Sequence, residues 1–499
     1  MTDGDTTEQG AAETGARSQR PSSKAFRDFV ASGWAERPGT LPATAAGARH
    51  AVARRERLSA RFPADRLVVP AGGLQVRSND TDHRYRPHTA FAYLTGLGGD
   101  TEPDCVLVLE PVEGGHEAVL FFRPRAGRDT EEFYADARYG ELWVGTRQSL
   151  AEVSAETGLP ARHLDELGDA LVKDLGATTV RVVRDADPRT TAHLDRARSA
   201  DGLDLDVATA SDDALADAVS ALRCVKDAWE VEQLREAVES TARGFADVVA
   251  ALPRAAEHAR GERVIESVFA ARAREEGNGV GYEVIAAAGD HACTLHWIRN
   301  DGRVPADALV LVDAGVEVDS LYTADVTRTL PVSGRFSPAQ RQVYTAVLDA
   351  ADAAFAATRP GATIREVHEA AMAVIADRLA AWGLLPVSPE ESLDTATGGQ
   401  HRRWMVHGTS HHLGLDVHDC ARLARETYQG QALEPGMVFT IEPGLYFRAD
   451  DLLVPEELRG IGVRIEDDVL VTADGAENLS AMLPREPDAV QEWMAGLRA

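Results

Sequence analysis

The spacing of apolar positions predicts two regions of different character along this chain. In the first region, short apolar runs bounded by glycine or proline predict strands at 66–69, 105–109, 118–122 and 179–183. A longer stretch, 161–175, has the apolar spacing of a helix. Strands mixed with helical stretches in this way indicate an α/β domain of ordinary size.

A second region begins near Arg223, where helix start signals accompany the apolar pattern. Asp227 is followed three residues later by Glu230, which is the arrangement of a capping box, and apolar positions at helical spacing come next. The same kind of signal predicts helix starts at Ser337 and Thr363. The apolar runs between these helices predict strands at 308–312, 326–332, 437–441, 463–465 and 469–471. Such a region is typical of an α+β domain in which a curved sheet carries a site.

The composition narrows the class of protein. Apolar residues make up 44% of the 499 residues, which is enough for two hydrophobic cores. A formal net charge of −28 argues against a nucleic-acid partner, because phosphates need a basic face. The four cysteines lack CxxC spacing, so neither a disulfide framework nor a zinc–thiolate site is indicated.

The N-terminal residues 1–25 are polar, and we expect them to form a disordered tail. They lack the apolar segment of a secretory signal. No stretch of the chain approaches the roughly eighteen apolar residues that a membrane helix needs. We therefore expect a cytoplasmic protein without a membrane partner.

Five potential metal ligands stand in or beside the predicted strands of the second region. Asp313 follows the run 308–312 and Asp325 begins the next strand, so antiparallel pairing would bring the two carboxylates together. A pair of buried carboxylates is costly unless a cation compensates it. The other three donors are His411, Glu442 and Glu466. Four carboxylates and one imidazole can hold two divalent cations, and two adjacent cations can promote hydrolysis of an amide.

Each acid also has an ordinary structural interpretation. Asp313 could begin a turn, and Asp325 could pair with the neighbouring Arg328. Glu466 could be an exposed strand residue, or it could mark a solvated turn together with the two acids that follow it. The combination of all five donors, more than any one of them, favours a metal site.

The segment from His407 to Asp419, with the sequence HGTSHHLGLDVHD, is the most specific stretch of the chain. It holds four histidines, and its two glycines permit close approach of the backbone. An imidazole ligates a metal through one nitrogen, which leaves the other for an orienting partner. His412 stands next to His411, so we expect it to point to the opposite side of an extended chain.

These motifs together resemble those of a known enzyme family, the Xaa-Pro aminopeptidases (aminopeptidase P) of the pita-bread metallopeptidase superfamily. The chain contains, in the family's order, the segments DAG at Asp313, ADVTRTLP around Asp325, HGTSHHLGLDVHD, TIEPGLY and GVRIEDD. The N-terminal region has two similar segments, RSNDTDHRYRPHTAFAYLTG and ELWVG. The spacing from Asp313 to Asp325 is one residue longer than is usual in the family, which a bulge or a longer hairpin turn could absorb.

The resemblance implies a domain organisation and an α+β fold. A disordered tail (1–25) and a smaller α/β, creatinase-like N-terminal domain (26–222) would precede a catalytic pita-bread domain (223–499) with a curved antiparallel sheet. It also implies a homodimer or homotetramer assembled through the N-terminal domains.

By position in the motifs, the resemblance implies that Asp325 and Glu466 bridge two divalent cations, which the family usually binds as Mn²⁺. Asp313 would complete the coordination of one cation, and His411 with Glu442 that of the other. A metal-bridging hydroxide would then attack the peptide carbonyl, while Glu442 passes the proton to the leaving nitrogen.

The resemblance also assigns residues around the substrate. His418 would lie near the scissile peptide, while His296 and His407 would line the proline pocket. Arg464 looks like the family's site arginine and Tyr446 like its partner tyrosine; a simple ion pair of Arg464 with a ligand carboxylate is compatible with this role. Two residues of the N-terminal region match positions that reach a neighbouring subunit's active site, namely Asp80 and Trp143.

The preferred hypothesis is a metal-dependent aminopeptidase that removes the N-terminal residue from peptides with proline in the second position. A prolidase, which hydrolyses Xaa-Pro dipeptides, shares the five ligands and differs in the room beyond the proline. A non-catalytic peptide-binding module of the same fold is a further alternative, against which the complete ligand set argues.

Overall fold

The computed structural model describes residue 21 and residues 23–498. The described residues form two compact units, one up to Leu215 and one from Ala216 onwards. Most of the predicted disordered tail, residues 1–20 and 22, lies outside the described residues. The end of that tail differs from the prediction, because a helix begins at Lys24. Ser23 caps this helix, since its side chain accepts a hydrogen bond from the backbone N–H of Phe26.

The first unit is built on a mixed five-stranded sheet. The strands of this unit are β1 (Arg66–Pro70), β2 (Val76–Ser78), β3 (Thr81–Asp82), β4 (Val106–Val112), β5 (Gly115–Phe122), β6 (Ala161–His163) and β7 (Val180–Val182). The sheet order is β6-β5-β4-β1-β7. Strands β1 and β7 are parallel, as are β5 and β6, and the other neighbours are antiparallel. Strands β2 and β3 form a separate hairpin.

Helices cover this sheet. They are α1 (Lys24–Val30), α2 (Ala46–Ser59), α3 (Thr89–Thr95), α4 (Glu131–Ala135), α5 (Glu141–Val144), α6 (Leu150–Thr157), α7 (Leu167–Val172) and α8 (Pro188–Ala200). The next helix, α9 (Leu205–Leu222), spans the division between the units. The core of the first unit includes side chains from the central strands and from α7 and α8, among them Val68, Val108, Phe121, Leu171 and Leu194.

The helix predicted at 161–175 is wrong over its first half. Residues 161–163 form edge strand β6, which pairs in parallel with β5, and a single 3₁₀ turn at 164–166 precedes α7. The helical spacing of Leu164, Leu167 and Leu171 is real, since all three contribute to the core. The tertiary pairing with β5 decides the conformation of the residues before them.

The second unit combines long helices with short antiparallel sheets. Its helices are α10 (Ala228–Glu257), α11 (Gly261–Glu276), α12 (Pro338–Ala357), α13 (Ile364–Ala381), α14 (Pro389–Leu393), α15 (Arg425–Gly430) and α16 (Pro487–Arg498). Its strands are β8 (Gly279–Val280), β9 (Ile285–Ala288), β10 (Leu309–Ala314), β11 (Val316–Glu317), β12 (Val326–Pro331), β13 (Val438–Ile441), β14 (Gly444–Phe447), β15 (Ile461–Arg464), β16 (Asp467–Val471) and β17 (Ala476–Asn478).

The predicted helix starts of this unit are confirmed as capping boxes. At the start of α10 the carboxylate of Asp227 accepts a hydrogen bond from the N–H of Glu230 at 3.0 Å, and the Glu230 side chain accepts from the N–H of Asp227 at 2.9 Å. Equivalent boxes begin α12 and α13. Buried side chains then join α10 to α11, where the rings of Phe245 and Phe269 meet edge to face. The fold class of the second unit is therefore α+β, as predicted.

The strands of the second unit are paired as β12-β10-β9, β13-β16-β17, β14-β15 and β11-β8. Strands β10 and β12 keep an unbroken register, from Leu309 opposite Pro331 to Ala314 opposite Val326. The longer spacing between the two aspartates is therefore absorbed in the connection, where Leu321 takes a φ of 72°.

Glycine is required at the start of this connection. A Cβ added to Gly315 would lie 1.6 Å from the carbonyl oxygen of Ala324, so no other residue fits between the two chain segments. Within the described residues, no helix combines the length and the apolar character needed to cross a membrane.

Candidate active site

The β10–β12 pair brings the two aspartates together. Asp313 lies inside β10 opposite Thr327, and Asp325 immediately precedes β12, so both strand boundaries differ by one or two residues from the prediction. The phenol of Tyr282 donates to Asp313 Oδ1 at 2.6 Å and also contacts Asp325 Oδ1. Arg328 does not pair with Asp325; it binds Asp467 Oδ1 at 2.7 Å in a buried ion pair.

His411 and Glu442 are held by backbone pairing between neighbouring segments. The N–H of Thr440 donates to the carbonyl of His411, and the N–H of Glu442 donates to the carbonyl of Thr409, both at 2.9 Å. His411 Nδ1 lies 3.2 Å from the carbonyl oxygen of His412, so this nitrogen is engaged on the backbone. Its Nε2 is thereby directed to the carboxylates, 3.3 Å from Asp325 Oδ2 and 3.7 Å from Glu442 Oε1.

Glu466 lies between β15 and β16 and is buried, so the alternatives of an exposed strand residue and of a solvated turn are both wrong. Its N–H donates to the carbonyl of Thr327 at 3.1 Å, and its Oε2 accepts from Thr327 Oγ1 at 2.6 Å. Asp325, His411 and Glu466 each offer one ligand atom, and these three atoms lie within 4.8 Å of one another. Asp313 and Glu442 flank this group.

The electrostatics of the cluster favour cations. Burial, followed by the charges of Asp325, Glu442 and Asp313, raises the pKa of Glu466 well above its ordinary value. Burial also raises the pKa of Asp325, and it raises that of Glu442 to about 7. Four crowded carboxylates carry more negative charge than His411 and Arg464 can balance, and two divalent cations would supply the missing positive charge. The donor set therefore fits a metal centre.

His411 responds to the same crowding. Burial by itself would lower the pKa of His411, but its hydrogen bond with Asp325 and the charges of Glu442 and Asp325 outweigh burial and raise that pKa to about 9. The pKa of Tyr282 is raised well above its ordinary value by burial and by the aspartates, so the phenol stays protonated and can donate.

A chain of hydrogen bonds connects the acidic cluster to His407. Arg464 Nη2 donates to Asp313 Oδ2 at 2.5 Å, and its Nη1 donates to the hydroxyl of Tyr446 at 3.1 Å. Tyr446 Oη lies 2.7 Å from His407 Nε2, while His407 Nδ1 faces the carbonyl of Gly408 at 2.6 Å. Burial and the nearby Arg464 lower the pKa of His407 to about 3, so this ring is neutral.

These groups surround one cavity of about 500 Å³. Its walls include the five predicted ligands and five other predicted or neighbouring side chains, Tyr282, His296, His407, His418 and Arg464. The ring of His418 meets that of His411 edge to face at 4.5 Å. His412 points away from the cavity, as predicted, and is buried against Tyr428.

Two predicted site residues are not part of this cluster. Asp80 and Trp143 lie in the first unit, and both side chains are exposed. Trp143 is 53% exposed and its Nε1–H donates to the carbonyl of Tyr134 at 2.8 Å. Neither side chain is among those that line the cavity of the acidic cluster.

Sequence reasoning missed two side chains that organise the site. Tyr282 gave no local signal, because its role depends on two aspartates more than thirty residues away. Glu262 is fully buried near the start of α11, and its carboxylate accepts four hydrogen bonds from the segment 288–302, which carries His296. Glu262 stands on the buried face of α11 with Ile265, so an acid at an apolar helical position was the available signal.

Comparison with known proteins agrees with this geometry. The model of metallopeptidase family M24 matches residues 232–473, and that of the aminopeptidase P N-terminal domain matches residues 51–183. Xaa-Pro aminopeptidase 1 of Streptomyces coelicolor is 53% identical over 468 residues, which cover 94% of this chain and 91% of that protein. The Xaa-Pro aminopeptidase of Escherichia coli is 32% identical, with 87% of this chain and 95% of that protein covered.

Solved structures give the same result. Escherichia coli aminopeptidase P, solved as a variant in complex with substrate, has a TM-score of 0.78 and 29% identity, covering 91% of this chain and 100% of that one. The Pseudomonas aeruginosa aminopeptidase PepP has a TM-score of 0.76 and 32% identity, covering 91% and 99%. The chain therefore belongs to the Xaa-Pro aminopeptidases of metallopeptidase family M24, with their pita-bread fold.

Proposed function

We propose that this protein is a dinuclear metallo-aminopeptidase that hydrolyses the bond between an N-terminal residue and a following proline. The observation that carries this proposal is that four carboxylates and the imidazole of His411 line a single cavity, with ligand atoms of Asp325, His411 and Glu466 within 4.8 Å of one another. Membership of the Xaa-Pro aminopeptidases supplies the substrate class.

We assign Asp325 and Glu466 as the ligands shared by two cations. Asp313 would complete one coordination sphere, and His411 with Glu442 the other. The closeness of the ligand atoms of Asp325, His411 and Glu466 supports this assignment. When bound, the cations would polarise the scissile carbonyl and make a water molecule acidic enough to act as nucleophile at neutral pH.

We propose Mn²⁺ as the metal, because carboxylate oxygens dominate the donor set. One structure of Escherichia coli aminopeptidase P is described as zinc-substituted, in complex with product. A donor set of oxygens with one imidazole also accepts zinc, so metal content must be measured on this protein.

The side chains around the metal ligands have distinct proposed tasks. Glu442 is the group that transfers the proton to the leaving nitrogen, since its carboxylate borders the cavity between His411 and His407. His418 would bind the scissile peptide, and His296 with His407 would line the proline pocket. The neutral state of His407 suits an apolar proline ring better than a charged imidazole would.

Arg464 and Tyr446 would position these groups. Arg464 binds Asp313 and Tyr446 at the same time, so it fixes the orientation of a ligand and of the tyrosine that contacts His407. A planar guanidinium holds its donors in fixed directions, whereas the ammonium group of a lysine rotates on a flexible stem. Arg464 therefore acts on the reaction through both the metal and the proline pocket.

We further propose a cytoplasmic homodimer or homotetramer in which Asp80 and Trp143 contact a neighbouring subunit's site. Three adjacent apolar side chains of α5, Leu142, Trp143 and Val144, are each at least 50% exposed, which supports contact with another copy. Gel filtration that gives the mass of one chain would contradict this assembly and the role of both residues.

The function is tested by an assay of the Mn²⁺-loaded protein with the tripeptide Arg-Pro-Pro and the dipeptide Arg-Pro. An aminopeptidase of this class releases arginine from the tripeptide at least as readily as from the dipeptide. Hydrolysis of the dipeptide alone would instead identify a prolidase. Absence of hydrolysis with two bound metal equivalents would favour a peptide-binding module.

A further inference from the structure

A second cavity, of about 740 Å³, adjoins the metal site and has no part in the function proposed above. It is lined by α13, by the segment 392–402 and by residues of α15. Gly408 and Ser410 line both cavities. A Cβ added to Gly408 would meet nothing within 4 Å, so open space exists beside the backbone that separates the two cavities.

The second cavity is lined by three arginines that have no carboxylate partner. They are Arg365, Arg402 and Arg425. Among the described residues, none of the three makes an ion pair within 4.0 Å. Neighbouring arginines behave differently, since Arg403 binds Asp451 through two nitrogens and Arg422 binds Asp217.

Arg402 is held firmly in this wall. Its Nη1 donates to His368 Nε2 at 3.0 Å, and its Nη2 donates to the carbonyl of His407 at 3.1 Å and to that of Val406. Since a guanidinium only donates, His368 Nε2 is the acceptor, and His368 Nδ1–H donates to Thr409 Oγ1 at 3.0 Å.

The charge of Arg402 is therefore fixed and uncompensated. Burial lowers its pKa, and no carboxylate acts in the opposite direction. Burial, followed by the charge of Arg402, lowers the pKa of His368 to about 4, so this imidazole is neutral near pH 7. A half-buried guanidinium without a counter-ion is the kind of group that an anionic ligand would stabilise.

Two acids also line the cavity, but they do not neutralise the arginines. Asp394 Oδ1 accepts hydrogen bonds from the N–H groups of Ala396 and Thr397 and from the hydroxyl of Thr397, so it is engaged in its own turn. Glu369 is exposed. Three cations face two carboxylates here, whereas the whole chain carries a net charge of −28.

We propose that this cavity is a subsite for a carboxylate carried by the peptide substrate beyond the proline. The proposal rests on the proposed function, in which His407 lines the proline pocket, because the next residue, Gly408, opens onto the second cavity. The planar guanidinium groups match a carboxylate in geometry and charge. That carboxylate is either the C-terminus of a short peptide or an acidic side chain.

Binding of product peptides to the Mn²⁺-loaded full chain tests the subsite. The probes are Pro-Gly, Pro-Gly-Gly and Pro-Gly-Gly-Gly, each as the free acid and as the C-terminal amide, titrated by calorimetry. We expect the acid to bind roughly tenfold more tightly than the amide at one or two lengths, because a charge-assisted pair is lost in the amide. Two further peptides, both C-terminal amides, end in glutamate or in glutamine. Their comparison tests whether an acidic side chain can supply the carboxylate.

Variants identify the arginines. In the double variant Arg365→Gln/Arg425→Gln, the preference in binding for the acid over the amide should fall to about twofold or less. The kcat for Arg-Pro-Gly-Gly should be retained, because these substitutions weaken only ground-state binding. Arg402 stays unchanged because it also holds the backbone of His407. Arg422→Gln is the matched control, because Arg422 is an exposed arginine three residues before Arg425, pairs with Asp217 and is not among the residues that line the cavity.

Equal binding of acid and amide at every length, or an undiminished preference in the double variant, would overturn the subsite. These readouts need no turnover. A protein that fails to cleave any Xaa-Pro peptide but still prefers acids would refute the proposed function and leave the arginine subsite standing. Cleavage of the free acids and of the amides with equal KM would instead support the proposed function and refute the arginine subsite.

Discussion

At the scale of single residues, the site is governed by the cost of burying like charges. Asp325 and Glu466 are 5% and 2% exposed and stand near two further carboxylates, one of which, Asp313, pairs with the buried Arg464. Such a cluster is tolerated when cations neutralise it. Each acid is therefore expected to matter for metal binding more than for folding.

Replacement of Asp325 by asparagine is expected to abolish metal binding and activity together. Changes to groups that merely support metal ligands cost roughly 10–100-fold in affinity or activity, so loss of a shared ligand should cost at least as much. Elemental analysis and the tripeptide assay measure the two effects. Asp319→Asn is the control, since Asp319 is an exposed acid in the same β10–β12 connection. Full activity of the Asp325 variant would remove the bridging role.

Asp451 gives a pH-dependent prediction away from the metal site. The two hydrogen bonds from Arg403, with others from Trp404 and the N–H of Leu453, lower the pKa of Asp451 to about 2. The unfolded value is about 3.9, so the folded pKa is the lower one. The stabilisation from ionised Asp451 is thus present above about pH 4 and is lost as the pH falls towards 2.

The variant Asp451→Asn should accordingly have a lower Tm than the parent protein, by an amount that is constant from pH 7 to about pH 5. The difference should shrink as the pH falls below about 4, because the parent then loses the same interaction. Thermal unfolding followed by circular dichroism measures it. A Tm difference that stays constant down to pH 3 would contradict the assigned pKa.

At the scale of elements, the site is assembled by short strands whose ends are fixed by other elements. The N-terminus of α11 is the clearest case. Glu262 accepts hydrogen bonds from the N–H groups of Ala288 and Gly302, at 2.9 and 2.7 Å, and from the side chains of His291 and Trp297, at 2.7 and 2.9 Å. One carboxylate thereby holds both ends of the segment that carries His296.

Substitution of Glu262 by glutamine should disturb His296 without removing the metal. The amide of the glutamine would present a donor to groups that are themselves donors. We expect this mismatch to lower the free energy of unfolding by about 1–3 kcal/mol. We expect KM for Arg-Pro-Pro to rise roughly tenfold, with two metal equivalents retained. If Glu262 acts through His296, its substitution should have little further effect on kcat/KM in a His296→Ala background.

The matched control is Glu230→Gln. Glu230 is also buried, caps α10 and accepts a hydrogen bond at 2.8 Å from Tyr322, which lies outside the segment 288–302. Both variants should lose stability, whereas Glu262→Gln alone should raise KM. If the losses of kcat/KM add up in the Glu262→Gln/His296→Ala double variant, Glu262 does not act through His296 and supports only the fold.

At the scale of the whole molecule, the proposed metal site belongs to one of the two units. All five proposed ligands lie in the second unit, while the first has its own sheet and its own core. A ligand that binds the folded state stabilises the elements that form its site. The free energy of metal binding is therefore expected to act locally, on the strands that carry the ligands.

Removal of the metal by a chelator should increase amide hydrogen exchange in β10, β12, β15 and β16. The central strands of the first unit, β1, β4 and β5, should keep their protection, because they hold no ligand. Mass spectrometry of peptides from the same sample compares the two sets directly. Equal loss of protection in both units would contradict a locally acting metal centre.

Much of the local structure follows from the sequence. The capping boxes that begin α10, α12 and α13 were predictable because their partners stand three residues apart, and a short contact needs no knowledge of the fold. The candidate ligands were identifiable for a related reason. Their motifs occur together in a fixed order, and the chemistry of a cation requires these residue types.

Other features were decided only by tertiary structure. Glu466 is buried because its N–H and its carboxylate both bind Thr327, and residues 161–163 form a strand because they pair with β5. Arg328 pairs with Asp467 rather than with the adjacent Asp325, and Tyr282 spans both aspartates.

The sequence by itself determined which groups are available for the chemistry and where the three helices with predicted capping boxes begin, because these depend on residue type and short spacing. The tertiary structure decided which of those groups meet and in what charge state, and which arginines have no carboxylate partner among the described residues. These outcomes depend on distances between residues far apart in the chain. They also depend on burial, because the interaction between two charges is stronger in the protein interior than in water.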